Sequence, residues 1–213
     1  MNEKNNTKTI YPFFLISILF VILDQISKYM IYQYFGISHI GFGDNAYYTR
    51  SVFSDINIIG DIIKFTYVEN AGIAFGIGFG PFKIILSIFS VVAGILLTLY
   101  LYKLKNFHWG IKIGVSLILA GAVGNLIDRV FYGLIFGYAD LFYGKVIDFI
   151  LVDIPDIEFL NLRYWPVFNI ADSCVTVGVF FLLIFYKHIP SMKEILPKKI
   201  EKAEITDFSK VAD

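Results

Sequence analysis

The sequence is poor in cysteine and in charge. Of 213 residues, one is cysteine and 17% are charged, whereas about a quarter are charged in an ordinary soluble domain. The lone Cys174 excludes an internal disulfide and a zinc site built from several cysteines. Basic and acidic residues balance to a net charge of zero, so no general attraction to nucleic acid is expected. A membrane protein is therefore the first class to test.

Several catalytic motifs are also absent. The sequence has no His-Glu-x-x-His pair, and its histidines His39, His108 and His188 are scattered, which disfavours zinc hydrolysis. It has no Gly-x-Ser-x-Gly turn and no phosphate-binding loop. We therefore predict neither a metal site nor a cofactor. Carboxylates remain as the acid–base groups.

Long hydrophobic runs are abundant. Hydrophobic residues make up 57% of the chain, and the mean hydropathy is +0.67. A membrane-spanning helix needs about 20 mostly apolar residues. Four stretches meet this requirement, at 11–31, 82–102, 111–131 and 169–186. The first continues past Asp24 without a small-x-small cleavage pattern, so we predict that it is retained rather than removed as a signal peptide.

The resulting prediction is an all-α membrane protein with four transmembrane helices. One membrane-embedded domain occupies 1–189, and a charged tail follows at 190–213. The loops 32–81 and 132–168 carry few basic residues: Arg50, Lys64, Lys145 and Arg163. The other connections and the termini are richer: Lys4, Lys8, Lys103, Lys105, Lys112, Lys187, Lys193, Lys198, Lys199, Lys202 and Lys210. Both termini are therefore predicted to be cytoplasmic, with both long loops outside.

The first outer loop contains a strand signal. Residues 64–70 are rich in β-branched and aromatic side chains, which predicts a β-strand. The glycines that follow, from Gly72 onward, predict turns or a close approach of the backbone. Many aromatic residues in both outer loops suit an interfacial surface, so membrane lipids are expected neighbours.

Polar residues within the predicted helices fall at one depth. A charge inside a span costs roughly 2.5–3.5 kcal/mol on insertion scales, so each one needs a partner or a function. With the predicted topology, three helices place polar side chains near the outer membrane surface: Asp24, Lys28, Asn125, Asp128, Arg129, Asn169 and Asp172. Asp148, in an apolar run of the second outer loop, is predicted to lie against the membrane or the top of the helices.

Each of these groups has a structural explanation when taken singly. Asp24 and Lys28 are four residues apart and suit an orienting ion pair. Asp128 beside Arg129 suits a pair that locks a helix in place. Asp172 lies in the first turn of the fourth helix, where the helix dipole stabilises an acid. Their convergence at one level favours a functional site.

The chemistry that fits best uses two carboxylates. Two acids close together in a low-dielectric pocket share one proton. One then accepts a proton from water while the other polarises the scissile carbonyl, as in an aspartic peptidase. A small proton-coupled transporter remains open as an alternative, with the same acids and Arg129 along its pathway. A serine–lysine peptidase, using Ser27 or Ser173 with Lys28, also remains, although pairing with Asp24 would keep the lysine protonated.

Five segments occur in this order: Asp24-Gln-Ile-Ser-Lys28, Glu69-Asn-Ala-Gly-Ile-Ala-Phe75, Gly121-Ala-Val-Gly-Asn-Leu-Ile-Asp-Arg129, Val146-Ile-Asp-Phe149 and Phe168-Asn-Ile-Ala-Asp-Ser173. Together they resemble the type II (lipoprotein) signal peptidases. Any one of these segments alone is weak evidence. Five in the family's order are highly specific.

The resemblance implies an aspartic endopeptidase of the bacterial inner membrane, with its site toward the extracytoplasmic side. Such enzymes cut the signal peptide from prolipoproteins just before a cysteine that carries diacylglycerol, so lipid-modified prolipoproteins are the expected partners. The implied fold is a four-helix bundle with a small outer β-cradle and an interfacial helix, expected within 32–63. The oligomeric state is left open, and a monomer is assumed.

The resemblance also implies roles for individual residues. Asp148 and Asp172 are the implied catalytic pair. Residues implied to bind substrate or shape the site are Asn70, Gly72, Asn125, Arg129, Asn169 and Ala171. The implied supporting residues are Asp24, Lys28 and Asp128. The chain departs from the family in longer segments at 130–147 and 151–165. The sequence leaves open whether these aromatic segments cover the site or enter the lipid. Cys174 is predicted to be a buried thiol.

Overall fold

Four apolar helices and two small antiparallel sheets account for most of the computed structural model, which describes residues 9–43, 46–72, 83–153 and 165–195. The helices are α1 (Tyr11–Tyr34), α2 (Lys83–Lys103), α3 (Trp109–Ile127) and α4 (Ile170–Ile184). Three helical segments are long and apolar enough to cross a membrane: Tyr11–Tyr34, Ile84–Asn106 and Trp109–Ile135. Large apolar side chains of α1 and α2 are widely exposed, as lipid-facing helices require.

The fourth predicted span is shorter than expected. Helix α4 has 15 residues, or about 22 Å at 1.5 Å per residue, against a hydrocarbon core of ~30 Å. It packs tightly along α3 because small residues lie between the two helices. A Cβ atom at Gly121 would collide with the Ala171 carbonyl oxygen, and one at Gly114 would lie 3.0 Å from the Gly178 carbonyl oxygen. Small residues at such interfaces let two backbones approach closely.

Helix α3 ends in a π-helical turn at Asp128–Tyr132, followed by one helical turn at Gly133–Ile135. The wider turn leaves backbone carbonyls free to accept hydrogen bonds from the segment that follows. The N–H of Gly144 donates to the Arg129 carbonyl at 2.9 Å, and that of Phe142 to the Val130 carbonyl at 3.0 Å. The long segment at 130–147 is thus fastened onto the end of α3.

The strands form two sheets. A hairpin pairs β1 (Ile37–Ile40) with β2 (Tyr47–Arg50), and a three-stranded sheet has the order β3 (Ile56–Ile59), β4 (Ile63–Asn70), β5 (Val146–Val152). The strand predicted over 64–70 is therefore present as β4. A cluster of buried apolar side chains joins this sheet to the C-terminal end of α1: Ile31, Phe35, Tyr67, Ile147 and Phe149. This packing places β5 directly above the helices.

The prediction of an interfacial helix within 32–63 is wrong for the described part of that range. Helix α1 extends to Tyr34, and the residues beyond it form β1, β2, β3 and the start of β4. The cause is local: each of β1 and β2 mixes apolar or aromatic residues with polar ones, and Gly41 (φ 87°) and Gly43 (φ 68°) make the turn between them. Both glycines adopt positive φ, which is costly for other residues, so a hairpin forms instead of a helix.

Two other predicted features fall mainly outside the described residues. The glycine-rich turns after Gly72 lie largely within 73–82, and most of the charged tail lies within 196–213. The tail is described only as far as Ile195, with one helical turn at Met192–Ile195.

Candidate active site

Asp148 lies near the start of strand β5, as its third residue. Its carboxylate is buried, with 3% of the residue exposed. The side-chain amide of Asn70 donates to Oδ2 at 3.1 Å, and that of Asn169 donates to Oδ1 at 2.7 Å. The antiparallel pairing of β4 with β5 places Asp148 opposite Val68, two residues before Asn70. The sheet therefore positions both the acid and one of its hydrogen-bond donors.

Asp172 is held in the first turn of α4 by a capping box. The backbone N–H of Asp172 donates to the Asn169 side-chain oxygen at 2.9 Å, and the backbone N–H of Asn169 donates to Asp172 Oδ2 at 3.2 Å. This reciprocal pair satisfies N–H groups that a helix start otherwise leaves unpaired. The other carboxylate oxygen, Oδ1, accepts from the Asn125 side-chain amide at 2.8 Å.

Asn169 connects the two acids. Its fully buried side-chain amide donates to Asp148, and its backbone N–H donates to Asp172. The same amide also lies 3.1 Å from the Asn125 side-chain oxygen. A carboxylate on a strand and a carboxylate on a helix are thus brought together on one asparagine.

Both carboxylates line one cleft of about 490 Å³. Asn70 lies beside Asp148 in its wall. The remaining lining comes from the segment before α4 and from the exposed side of that helix: Trp165, Pro166, Val167, Phe168, Ser173, Thr176 and Val177. The two carboxylates, the Asn70 amide and two hydroxyl groups therefore line a cleft whose other side chains are apolar.

Burial controls the proton on Asp148. Removal from water and, to a lesser degree, the nearby charge of Asp172 raise the pKa of this carboxyl, to about 7. The hydrogen bonds from Asn70 and Asn169 oppose the rise because they favour the ionised form. Near neutral pH, Asp148 is therefore able to hold or release a proton.

Below the acids, Lys28 lies fully buried between two carboxylates. Its Nζ is 2.8 Å from Asp24 and 2.7 Å from Asp128, and it donates to the Asn125 side-chain oxygen at 3.1 Å. These contacts use all three of its N–H groups. The Asp24–Lys28 pair predicted from the sequence is present. Asp128 pairs with Lys28 instead of with its neighbour Arg129.

The two carboxylates that flank Lys28 also hold backbone groups next to the candidate catalytic acids. Asp24 accepts from the N–H of Ala171 at 2.9 Å, and Asp128 accepts from the N–H of Ile147 at 3.3 Å. Ala171 directly precedes Asp172, and Ile147 directly precedes Asp148. The buried triad Asp24–Lys28–Asp128 therefore fixes how far β5 lies from the start of α4.

Gly72 orients Asn70. Its N–H donates to the Asn70 side-chain oxygen at 2.9 Å, which leaves the amide nitrogen to face Asp148. Gly72 adopts φ 81°, and a Cβ there would collide with the Leu86 side chain. Both features require glycine at this position.

Arg129 is less fully engaged. It is half-buried and lies close enough to Asp128, Asp148 and Asp172 for electrostatic interaction. Its guanidinium makes no hydrogen bond or ion pair with any residue in the described ranges. The same ranges contain no group of three or more His, Cys, Asp or Glu side chains able to hold a metal ion.

Sequence reasoning did not single out Gln25. Its side-chain nitrogen donates to Asp128 at 2.9 Å and to the Gly124 carbonyl at 3.1 Å, and its oxygen accepts from the Tyr132 hydroxyl at 3.0 Å. The sequence did hold a signal for this role. Gln25 is an amide between two charged positions, Asp24 and Lys28, of an apolar helix, and such a group needs polar partners.

The serine–lysine alternative finds no geometric support. The hydroxyl of Ser27 donates to the Asp24 carbonyl at 2.7 Å, and that of Ser173 donates to the Asn169 carbonyl at 3.0 Å. Lys28 directs its donors to two carboxylates and Asn125. No described contact joins either serine to this lysine.

Comparisons with known proteins agree with one another. A family model described as signal peptidase (SPase) II matches residues 16–187. The lipoprotein signal peptidase of Chlorobaculum tepidum is 34% identical over 85% of this chain and 97% of its own length. That of Pelodictyon phaeoclathratiforme is 33% identical over 83% of this chain and 90% of its own. A solved bacterial membrane enzyme, determined by the in meso method at 1.9 Å, covers 84% of this chain and 95% of its own, with 30% identity and a TM-score of 0.59.

Proposed function

Because this chain belongs to the signal peptidase II family, we propose that it removes signal peptides from prolipoproteins as an aspartic endopeptidase. The family predicted from five sequence segments is confirmed. The observation that supports the aspartic mechanism is the meeting of Asp148 and Asp172 in one cleft, both hydrogen-bonded to Asn169. Lipid-modified prolipoproteins are the proposed substrates.

The proposed reaction uses one shared proton. Asp172 accepts a proton from a water molecule whose oxygen attacks the scissile carbonyl carbon, while protonated Asp148 gives its proton to the carbonyl oxygen. The C–N bond of the resulting tetrahedral intermediate then breaks. The leaving nitrogen takes the proton from Asp172, and Asp148 recovers a proton from the intermediate as the new carboxyl group forms. The elevated pKa of Asp148 supports this assignment, because this group must be protonated at the start.

The shape of the cleft supports a lipid-linked substrate. Thr176 and Val177, on the exposed side of α4, extend the cleft along that helix, away from the two acids. A signal helix lying beside α4 would bring its end to the carboxylates without entering bulk water. Cleavage just before a cysteine that carries diacylglycerol fits this arrangement, because the acyl chains stay on the apolar side.

The proposal includes a membrane topology and a domain organisation. Helix α4 serves as the fourth span, both termini are cytoplasmic, and the site faces the outer side of the bacterial inner membrane. The two sheets form the outer cradle of one peptidase domain at 1–189, with a cytoplasmic tail at 190–213 and a monomeric chain. Lys112 supports this orientation, because basic residues are enriched on the cytoplasmic side. It lies in the first turn of α3, at the opposite end of that helix from Asp128, and its Nζ is 4.5 Å from the centroid of the Phe13 ring near the start of α1.

A transporter is less well supported. A proton pathway needs ionisable groups spread through the membrane depth. In the described helices, the buried charges near the site are grouped around Lys28 at one level. Lys112 is buried at the opposite end, and its Nζ reaches the Lys105 carbonyl at 3.4 Å.

The test is cleavage of a diacylglyceryl-modified peptide in detergent. Asp148→Asn and Asp172→Asn are each expected to lower kcat by at least about 10³-fold, because each removes a group that must transfer a proton. Asp140→Asn, an exposed acid in the same outer segment, is the matched control and should keep full activity. Ser173→Ala should also keep most of its activity.

Normal folding of each variant is checked by thermal unfolding of the purified protein. Full cleavage by well-folded Asp148→Asn or Asp172→Asn would disprove the aspartic assignment. Inactive but folded Ser173→Ala would favour the serine mechanism instead.

A further inference from the structure

Strands β4 and β5 pair in two short stretches separated by a bulge. The outer stretch pairs 63–65 with 150–152, and the inner stretch pairs 68–70 with 146–148. Strand β4 has one more residue than β5 between the two stretches. A bulge of this kind interrupts the ladder, so the outer pairing does not by itself fix the inner register. Asn70 and Asp148 both lie in the inner stretch.

A buried ionic cluster lies on the opposite face of the inner stretch. Because successive strand side chains point to opposite faces, Glu69 points away from the cleft that Asn70 lines. The Glu69 carboxylate accepts from Lys145 Nζ at 3.0 Å and from the Tyr67 hydroxyl at 2.9 Å, and lies 2.6 Å from His39 Nε2. Burial acts to raise the pKa of Glu69, but the hydrogen bond from His39 and the charge of Lys145 outweigh it and lower the pKa. The carboxylate is thus held in its ionised form.

The two charges of this cluster belong to the two paired strands. Glu69 is in β4, and Lys145 directly precedes β5. Lys145 is anchored independently, because its Nζ also donates to the Ala46 carbonyl at 3.1 Å and its backbone N–H donates to the Tyr138 hydroxyl at 2.8 Å. The His39 ring in turn stacks on Tyr138 at a centroid distance of 4.2 Å.

We propose that the Glu69–Lys145–His39 cluster fixes the register of the inner stretch and so holds Asn70 against Asp148. A slip of one residue would turn every side chain of that stretch to the other face. Asn70 would then no longer contact Asp148. The Glu69 carboxylate would also lose Lys145, and loss of one partner of a buried ion pair strongly destabilises a protein. Glu69 is thus a positioning residue, and the long segment at 130–147 supplies two of its anchors, Tyr138 and Lys145. The inference rests on the proposed function for its effect on catalysis.

The test compares ion pairs on the two sides of the bulge. Lys145→Met and Glu69→Gln should lower kcat by about 10- to 100-fold, as misplacement of a reacting group does, with KM changed by less than about twofold. Amide hydrogen exchange at 146–148 should become at least about 10-fold faster in Lys145→Met, while 150–152 keep their protection. Lys64→Met is the matched control, because Lys64 pairs with Asp153 at 3.2 Å beyond the bulge. It should change neither kcat nor exchange at 146–148.

Non-additivity gives a further criterion. If Glu69 acts through Asn70, adding Asn70→Ala to Lys145→Met should cause little further loss of kcat. Unchanged exchange at 146–148 in Lys145→Met, or losses that add in full, would overturn the proposal. If Glu69→Gln does not fold, the results for Lys145→Met alone test the proposal. Exchange is measured without substrate, so a failure of the wild type to cleave the lipopeptide would count against the proposed function and not against this inference.

Discussion

Asn70 shows how single residues set the chemistry of this site. Its side chain is fixed from both ends, by the Gly72 N–H on its oxygen and by Asp148 on its nitrogen. The donated hydrogen bond favours the ionised form of Asp148 and so limits the rise in pKa that burial causes. Asn70 therefore tunes the proton on the acid that it touches.

The pH dependence of activity should report this tuning. In the proposed mechanism Asp148 is protonated at the start, so activity should fall as pH rises through its pKa of about 7. Asn70→Ala removes a contact that lowers this pKa, so the alkaline limb of kcat/KM should move to higher pH while the maximal rate decreases. The measurement is the pH–rate profile of the lipopeptide cleavage reaction.

The control for this shift is Asn57→Ala. Asn57 also donates its side-chain amide to a carboxylate, Asp61 at 3.0 Å, but on the exposed β3–β4 hairpin. Its profile should match that of the wild type. An alkaline limb that stays in place or moves to lower pH in Asn70→Ala would contradict the role assigned to the Asn70 hydrogen bond.

Residue-level prediction from the sequence succeeded where helical spacing determines position. Asp24 and Lys28 pair because residues four apart share one helix face. The spacing did not predict that Asp128 pairs with Lys28, because that contact depends on how α1 and α3 pack. The roles of Gln25 and Glu69 were missed for the same reason, because most of their partners lie on other elements.

At the scale of elements, the contact between α3 and α4 determines where Asp172 lies. Gly121→Ala would place a methyl group against the Ala171 carbonyl oxygen and the Val175 side chain. Overpacking of this kind typically costs about 1–3 kcal/mol. We expect a lower midpoint of thermal unfolding and a loss of kcat, because displacement of Ala171 displaces Asp172.

Gly94→Ala provides the comparison for that variant. A Cβ at Gly94 on α2 would lie 3.9 Å from a Leu126 methyl group, which is an ordinary contact. Its unfolding midpoint should stay the same or rise, because alanine favours a helix more than glycine does. Equal stability of Gly121→Ala and Gly94→Ala would show that the α3–α4 contact is looser than the structure indicates.

The elements were predicted unequally well from sequence. Apolar runs located the helices α1, α2, α3 and α4 to within a few residues, because hydrophobic length is a strong signal. Residues 64–70 also predicted β4 from their own composition. The interfacial helix came from family resemblance and was wrong within the described residues, because Gly41 and Gly43 favour a hairpin there. The π-helical turn at Asp128–Tyr132 has no comparable sequence signal.

At the scale of the whole molecule, the proposed topology is testable with single cysteines. In a Cys174→Ser background, cysteine replaces either Asp140 or Lys105, which are exposed in the structure on opposite sides of the proposed membrane. A membrane-impermeant maleimide added to spheroplasts should label position 140 directly. It should label position 105 only after the membrane is permeabilised.

The reverse pattern would place the acids on the cytoplasmic side and exclude the proposed orientation. The Cys174→Ser variant without a new cysteine measures background labelling. The native thiol is buried and should react slowly in either compartment.

The cleft that extends along α4 has a consequence for kinetics. A substrate that approaches beside this helix reaches Asp148 and Asp172 by lateral diffusion within the lipid. Encounter frequency should then depend on the number of substrate molecules per lipid, and not on their number per volume of buffer. Adding inert phospholipid at fixed amounts of enzyme and substrate would slow turnover, although every bulk concentration stayed the same.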